Sequence, residues 1–307
     1  MDGRPMDPRG TRVRSTAARR SSVHRSGMIG GMPGTLYVCA TPIGNLADAS
    51  ERLSDVLRSA EIVFAEDTRR TAKLLAHLGA TTSMRSLFVG NERSRVDELV
   101  ERLEAGGIVA IVSDAGMPTV SDPGVIAIDA AISCGAEVIA IPGPSAVTTA
   151  IAASGLGGDR FVFEGFLPRK GTARRRVIAD VAGQERTVVV FSAPSRVDKD
   201  LADLAAACGS DRRIAVCREL TKLHEETWRG TLGDAVDEFA PNERRRGEFT
   251  LVVEGRTPDA VSIDEAAEAA LGAIAEGAST SDAVRSTADL LGVSRRQLYD
   301  RVLRERS

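Results

Sequence analysis

Histidine and cysteine are scarce in this chain, with three His and four Cys among 307 residues. A multi-histidine metal centre needs ligands at closer spacing than His24, His77 and His224 provide, so no metal is expected. Cys39, Cys134, Cys208 and Cys217 are widely separated and lie mostly inside apolar segments. That spacing fits neither a disulfide framework nor a zinc site, and predicts reduced, buried thiols in a cytoplasmic protein. Long apolar runs are missing too. The longest, Gly124 to Ile141, is broken by Asp129, Gly135 and Glu137, whereas a membrane span needs about 20 mostly uncharged residues. Absent as well are a Walker A pattern, a G-x-G-x-x-G after a strand and a G-x-S-x-G elbow. Their absence sets aside P-loop hydrolysis, a standard dinucleotide fold and serine hydrolysis.

What is present is an ordinary globular composition, 43% hydrophobic and 27% charged, in a chain long enough for about two domains. The net charge of −3 is unevenly spread, because residues 1–33 carry seven Arg against Asp2 and Asp7. The body is therefore acidic, and any nucleic-acid contact must come from local basic patches. The tail itself, rich in Arg, Ser, Gly and Pro, has no apolar period and no secretory core, and is expected to be flexible.

From Thr35 onward, short β-branched runs alternate with helical patterns. Leu36 to Ala40, Ile62 to Ala65, Ile108 to Ser113 and Val138 to Ile141 predict strands. Glu51 to Ser59, Arg70 to Leu78, Arg95 to Ala105, Val125 to Cys134 and Ala146 to Ser154 predict helices between them. Such alternation implies a largely parallel α/β sheet whose sites lie beyond the carboxyl ends of its strands. After a hinge at Gly155-Leu-Gly-Gly-Asp, a second α/β unit follows, with strands at Phe161 to Gly165, Thr187 to Ser192, Arg213 to Arg218, Thr227 to Thr231 and Glu248 to Val253. Its helices are Ala173 to Val181 and Val197 to Ala207, too few for a purely parallel sheet, so a mixed one is expected. Three short Ala-rich helices close the chain, at Ile263 to Glu276, Ser281 to Leu291 and Ser294 to Arg304. The organisation expected is a tail (1–33), two α/β domains (34–155 and 159–256) and an all-α module (262–307).

Three loops at strand ends combine Pro or Gly with small polar residues: Ala40-Thr-Pro-Ile-Gly-Asn-Leu, Ser113-Asp-Ala-Gly-Met-Pro-Thr-Val-Ser-Asp-Pro-Gly and Ile141-Pro-Gly-Pro-Ser-Ala. Gly116 and Gly143 permit close backbone approach, while Pro42, Pro118 and Pro144 stiffen the loops. Convergence at one sheet edge would suit a flat, polar ligand.

These loops, with Glu-Asp-Thr-Arg at 66–69, Gly-Phe-Leu-Pro at 165–168 and Arg-Glu-Leu-Thr-Lys at 218–222, closely resemble the ribosomal RNA small subunit methyltransferase I family. That family is tetrapyrrole-methylase-like, of class III among the S-adenosylmethionine methyltransferases. The resemblance spans residues 34–256 in order and spacing, and the C-terminal module matches too. Departures are the Arg-rich tail and Met117 where Thr is common. The resemblance implies a two-domain core with a cofactor cleft between the domains, usually in a homodimer. Its activity is methyl transfer from S-adenosylmethionine to the ribose 2′-hydroxyl of a cytidine in the decoding region of 16S ribosomal RNA. Carried over, the cofactor contacts would be Pro42, Asp114, Ala115, Gly116, Pro118, Ser145, Ala146, Ala193, Arg218 and Thr250. Backbone N–H groups at a helix N-terminus would suit the cofactor's carboxylate, and Asp114 a ribose hydroxyl or the amino group.

Methyl transfer needs alignment and charge compensation, with optional help from a base. Glu66, Asp67, Glu219, Lys222 and Glu248 all sit near strand ends as candidates, and Glu66, Asp67 and Lys222 are the first to mutate. Arg69, behind an acidic pair, is placed to meet a phosphate; alternatively Asp67 or Thr68 simply caps the next helix. Arg169, Lys170, Arg174, Arg175 and Arg176 form a cluster suited to an RNA backbone, or else a solvated helix face. Arg244 to Arg246 make a second patch, in a turn between strands. His77, His224 and Trp228 are assigned structural roles. The segment Ala288-Asp-Leu-Leu-Gly-Val-Ser-Arg-Arg-Gln-Leu-Tyr has a helix-turn-helix pattern, with Arg295, Arg296 and Arg301 as nucleic-acid contacts. The competing readings are a relative acting on a tetrapyrrole or a protein, and a DNA-binding regulator, which would leave the first 250 residues unexplained.

Overall fold

The computed structural model describes residues 34–257 and 261–306, so the expected flexible tail lies outside the described residues. The first half alternates β1 (Thr35–Cys39), α1 (Glu51–Ser59), β2 (Ile62–Ala65), α2 (Thr68–Leu78), β3 (Ser83–Ser86), α3 (Glu92–Glu104), β4 (Ile108–Val112), α4 (Val125–Ser133), β5 (Glu137–Ile141) and α5 (Ala146–Ser154). Its five strands run in the order β3-β2-β4-β1-β5, every pair parallel. Apolar residues on both faces explain the parallel arrangement: Cys39, Val63, Ala110 and Val112 pack under α1 and α2, and Leu36, Phe64, Val109 and Ile111 under α3 and α4. Strand β3 had no sequence signal, because Ser83-Met-Arg-Ser is an edge strand without an apolar run.

The second half comprises β6 (Phe161–Phe166), α6 (Gly171–Gly183), β7 (Thr187–Ser192), α7 (Val197–Cys208), β8 (Arg213–Arg218), β9 (Glu226–Thr231), α8 (Leu232–Glu238) and β10 (Phe249–Val253). The sheet, ordered β6-β7-β10-β8-β9, is mixed: β6 and β7 are parallel, while β10 runs antiparallel to β7 and β8, and β9 to β8. Helix α8 was missed although Thr231 and Asp234 form a capping box, a pattern readable in the sequence. Helix α5 joins the halves. Its Val147 and Ala150 pack against Val189, Ala215, Cys217 and Val252 of the second sheet.

The last three helices are α9 (Ile263–Ala275), α10 (Thr280–Leu291) and α11 (Arg295–Arg306). Ala266, Ala267, Ala270 and Ala288 let them approach closely around Val284, Leu298 and Val302. Gly292, at φ 67°, takes the left-handed turn between α10 and α11. Cys39 and Cys217 are buried as expected, but Cys134 and Cys208 are only half-buried, which corrects the expectation for those two.

Candidate functional site

The carboxyl ends of β1, β2, β4 and β5 face the second sheet across a cleft of about 370 Å³. One wall is Ile43, Glu66, the stretch Asp114 to Met117, Val120 to Asp122, and Ser145 to Val147 at the start of α5. Opposite stand Phe166, the stretch Phe191 to Pro194 and the stretch Glu248 to Thr250. The three Pro- and Gly-rich loops thus meet. Thr41 and Gly116 exchange backbone hydrogen bonds of 2.9 and 3.0 Å, which ties the first loop to the second. Gly116 needs its glycine, since φ is 77°.

The loop from Asp114 to Gly124 is strained, with Thr119 at φ 77° and Ser121 at φ 68°. Such conformations cost about 1–3 kcal/mol each for non-glycine residues and persist only where surroundings enforce them. Glu92 supplies the enforcement. Its buried Oε1 accepts N–H bonds from Gly124 (3.1 Å), Ile126 (2.9 Å) and Ala127 (3.1 Å), pinning the start of α4 and so the end of the loop. Sequence reasoning passed over Glu92, because its donors lie 32 or more residues away.

The ends of β2 and β4 latch reciprocally. Asp114 N–H donates to Glu66 Oε2 (3.2 Å), and Asp67 N–H donates to Asp114 Oδ1 (2.9 Å). Arg70 Nε lies 3.5 Å from Asp114 Oδ2. Burial pushes the Glu66 carboxyl above its ordinary range, reinforced by the Asp114 and Asp67 carboxylates, against the Asp114 N–H and Arg70. Asp122 is pushed up to about 6, by burial and by Glu66. Asp67 moves the other way, to about 2, because the Arg69 side chain and N–H bind it.

Among the expected cofactor contacts, Asp114, Ala115, Gly116, Ser145, Ala146, Ala193 and Thr250 line the cleft; Pro42, Pro118 and Arg218 do not. Arg218 is held instead by Glu226 of β9, Nη2 to Oε2 at 3.0 Å. Of the catalytic candidates only Glu66 and Glu248 reach the lining. Asp67 caps α2 and pairs with Arg69 at 2.7 Å. Lys222 Nζ bridges Glu219 Oε1 (2.8 Å) and Glu248 Oε2 (3.0 Å), so it adjoins the cleft through Glu248. Burial works against its charge, but the two carboxylates keep its pKa above the ordinary value. Asp122, Ser121 and Phe166 are cleft residues that sequence reasoning missed.

In the basic cluster, Arg169, Lys170, Arg175 and Arg176 are exposed. Arg174 is not, which corrects its assignment to RNA. The residue is 4% exposed, with Nη1 2.8 Å from Asp200 Oδ1, Nη2 2.6 Å from Asp203 Oδ2, and Nη1 donating to Pro168 O at 3.1 Å. Arg244 is likewise occupied, by Glu226, Glu238 and the Phe239 ring. Arg245 pairs with Asp198, and Trp228 packs edge-on against Phe239. Arg301 braces the module through Asp264 on α9 and Glu305, both at 2.6 Å.

An all-parallel sheet facing a mixed one across a small-ligand cleft, with carboxylates on one wall, defines a two-domain α/β protein with a small-molecule site between its sheets. The family model of tetrapyrrole (corrin/porphyrin) methylases matches residues 35–236, and that of the RsmI C-terminal HTH domain matches residues 261–306. Ribosomal RNA small subunit methyltransferase I from Synechocystis sp. is 43% identical over 269 residues, covering 87% of this chain and 96% of its own. The Mycobacterium tuberculosis protein of the same name is 44% identical over 276 residues, covering 89% and 96%. A uroporphyrin-III C-methyltransferase from Thermus thermophilus, solved with S-adenosylhomocysteine, shares the fold at a TM-score of 0.51 and 15% identity, covering 71% of this chain and 96% of its own. The chain belongs to the tetrapyrrole methylase family and, within it, to the branch of ribosomal RNA small subunit methyltransferase I.

Proposed function

We propose that this protein transfers a methyl group from S-adenosylmethionine to the ribose 2′-hydroxyl of a cytidine in the decoding region of 16S ribosomal RNA, in the cytoplasm. The observation that carries the reading is 43% identity to a ribosomal RNA methyltransferase across 87% of the chain.

The residues present suit the cofactor. A volume of 370 Å³ lies within the range of small-molecule sites, roughly 300–1,000 Å³. Ile43, Val147 and Phe249 offer apolar surface for a flat base, and Asp114 and Asp122 offer carboxylates to a cationic centre and sugar hydroxyls. Ser145 makes no side-chain cap, which leaves the first N–H groups of α5 available to a carboxylate. Ala115, Gly116, Ala146, Ala193 and Thr250 complete the surround, with Pro42 and Pro118 stiffening the loops behind it.

When bound, S-adenosylmethionine supplies a methyl group on a sulfonium, open to in-line attack. Glu66 takes the proton from the 2′-hydroxyl, and its raised pKa makes it a stronger base than an ordinary carboxylate. The Asp114 N–H on Oε2 fixes the orientation of that carboxyl. Asp67 holds α2 and Arg69 in place rather than touching substrate, and Lys222 positions Glu248 on the facing wall. Arg69, Arg169, Lys170, Arg175 and Arg176 meet RNA phosphates.

The test is transfer of labelled methyl to small ribosomal subunits lacking the modification, beside free RNA, DNA and a corrin precursor, with the labelled nucleoside mapped. Label on a cytidine ribose is expected. Label only on the corrin would refute the RNA substrate.

Two copies of the chain are further proposed to associate. On α4, Val125, Ile126 and Ile132 are 62%, 40% and 60% exposed, and among the described residues β5 has no partner on its outer edge. Sedimentation equilibrium should give twice the chain mass, and the Val125→Glu, Ile132→Glu double variant a single chain mass. A wild-type protein that sediments as one chain would contradict the association.

A further inference from the structure

Helices α10 and α11 enclose a groove of about 420 Å³ lined by Ser281, Val284, Arg285, Arg295, Arg296, Tyr299 and Asp300. Helical spacing explains why these side chains meet. On α11, Arg295 and Tyr299 are four residues apart and Arg296 and Tyr299 three, so they share a face; on α10, Ser281 and Arg285 do likewise. Val284, 1% exposed, anchors the floor in the module core. Three guanidinium groups, of Arg285, Arg295 and Arg296, line the groove beside the carboxylate of Asp300, and two of them also pair with Asp282 and Asp289.

Two of these cations hold solvent-exposed ion pairs. Arg295 Nη2 stands 3.8 Å from Asp289, with the two side chains 56% and 73% exposed. Arg285 pairs with Asp282 in a similarly exposed setting. Exposed pairs of this kind contribute little and yield readily to a phosphate, which accepts the guanidinium fork in two places. Arg301, the other cation expected to meet nucleic acid, is instead committed to Asp264 and Glu305. Tyr299, 41% exposed, presents an aromatic surface beside the cations. A phosphate or a small anion has no use for that ring, whereas an unpaired nucleotide has both a charge and a flat base.

We propose that this groove binds a single-stranded or looped-out segment of the RNA substrate, with Arg285, Arg295 and Arg296 on consecutive phosphates and Tyr299 stacked on an unpaired base. The proposal rests on the RNA reading of the cleft. It assigns the module a gripping role separate from the methyl-transfer site.

The test uses the full chain and a fluorescein-labelled stem–loop RNA of mixed sequence, titrated from 50 to 300 mM salt. The Arg285→Ala, Arg295→Ala, Arg296→Ala triple variant should reduce the slope of log affinity against log salt by about 2, since each single-strand phosphate contact contributes roughly 0.7. Tyr299→Ala should weaken binding about tenfold with the slope unchanged. All four side chains lie at the surface, so the variants should fold, which circular dichroism checks. Wild-type slope and affinity in both variants would overturn the proposal. Methyl transfer to small subunits by the wild-type protein is measured alongside. If it occurs while the groove variants bind normally, the groove assignment fails alone; if the variants bind weakly and no RNA is methylated, the groove stands and the cleft's RNA reading fails.

Discussion

Arg174→Ala should lower the unfolding free energy by about 3–5 kcal/mol, the usual consequence of removing one partner from a buried ion pair. The reason lies in what stays behind. Asp200 is 0% exposed, and without Arg174 its carboxylate would keep only the Ser192 hydroxyl, which donates at 2.6 Å. The Pro168 carbonyl would also lose its donor, loosening the turn between β6 and α6. Arg175→Ala and Arg176→Ala, on the exposed face of the same helix, should change stability by no more than about 0.5 kcal/mol. Replacing the two buried charges, as Arg174→Met with Asp200→Asn, should recover most of the loss, because Asn still accepts from Ser192 and the carboxylate left behind, Asp203, is 39% exposed and open to water. Denaturant melts of these variants read the difference. A single Arg174→Ala variant as stable as wild type would show that the pair is not what holds α6 against α7.

The second large effect is on rate. Glu66→Gln should reduce kcat by about 10²–10⁴, the range for loss of a positioned general base, with cofactor affinity changed by no more than a few-fold. Glutamine keeps an oxygen that accepts from the Asp114 N–H, so the latch between β2 and β4 survives. The sign of the pH dependence follows from the direction of the shift. A base must be ionised to accept a proton, and the Glu66 pKa is raised, so activity falls as pH drops through a range above that of ordinary carboxylates. Asp67, Asp114, Asp122 and Arg70 all act on Glu66 or titrate beside it, and Asp122, at about 6, would produce a similar limb. Asp122→Asn separates the two. It should retain a rate within about tenfold of wild type together with the acid limb, whereas Glu66→Gln loses both. Full activity in Glu66→Gln would remove Glu66 from the chemistry.

Much of this site was legible because its loops are written in Pro and Gly. Thr41-Pro-Ile-Gly, Ser113-Asp-Ala-Gly and Pro142-Gly-Pro-Ser each terminate an apolar strand, and in a parallel sheet such ends share one edge. The loops were expected to meet, and Thr41 bonds to Gly116. Arg174 shows a signal that was present and unused. It precedes Ile178 and Val181 by four and seven residues, the spacing of a buried helical face, yet the run of five cations suggested an RNA-binding surface. Glu92 shows the opposite case. Nothing local distinguishes it from any acidic residue in the first turn of a helix, since its meaning depends on N–H groups of another helix. Strand β3 was silent for a third reason: an exposed edge strand needs no apolar alternation. Side-chain partners such as Lys222 with Glu248, 26 residues apart, arise only when distant segments are folded together.

The claim on which the rest depends is that the cleft between the two sheets holds the cofactor. Calorimetric titration of S-adenosylhomocysteine into the wild-type chain and into Ala193→Trp tests it most directly. Ala193 lies on the wall opposite Asp114, just past the end of β7, where an indole would project into the cleft. The account predicts one site per chain in the wild type and none in a variant that melts at the wild-type temperature. Equal affinity in the two proteins would place the cofactor elsewhere and contradict it.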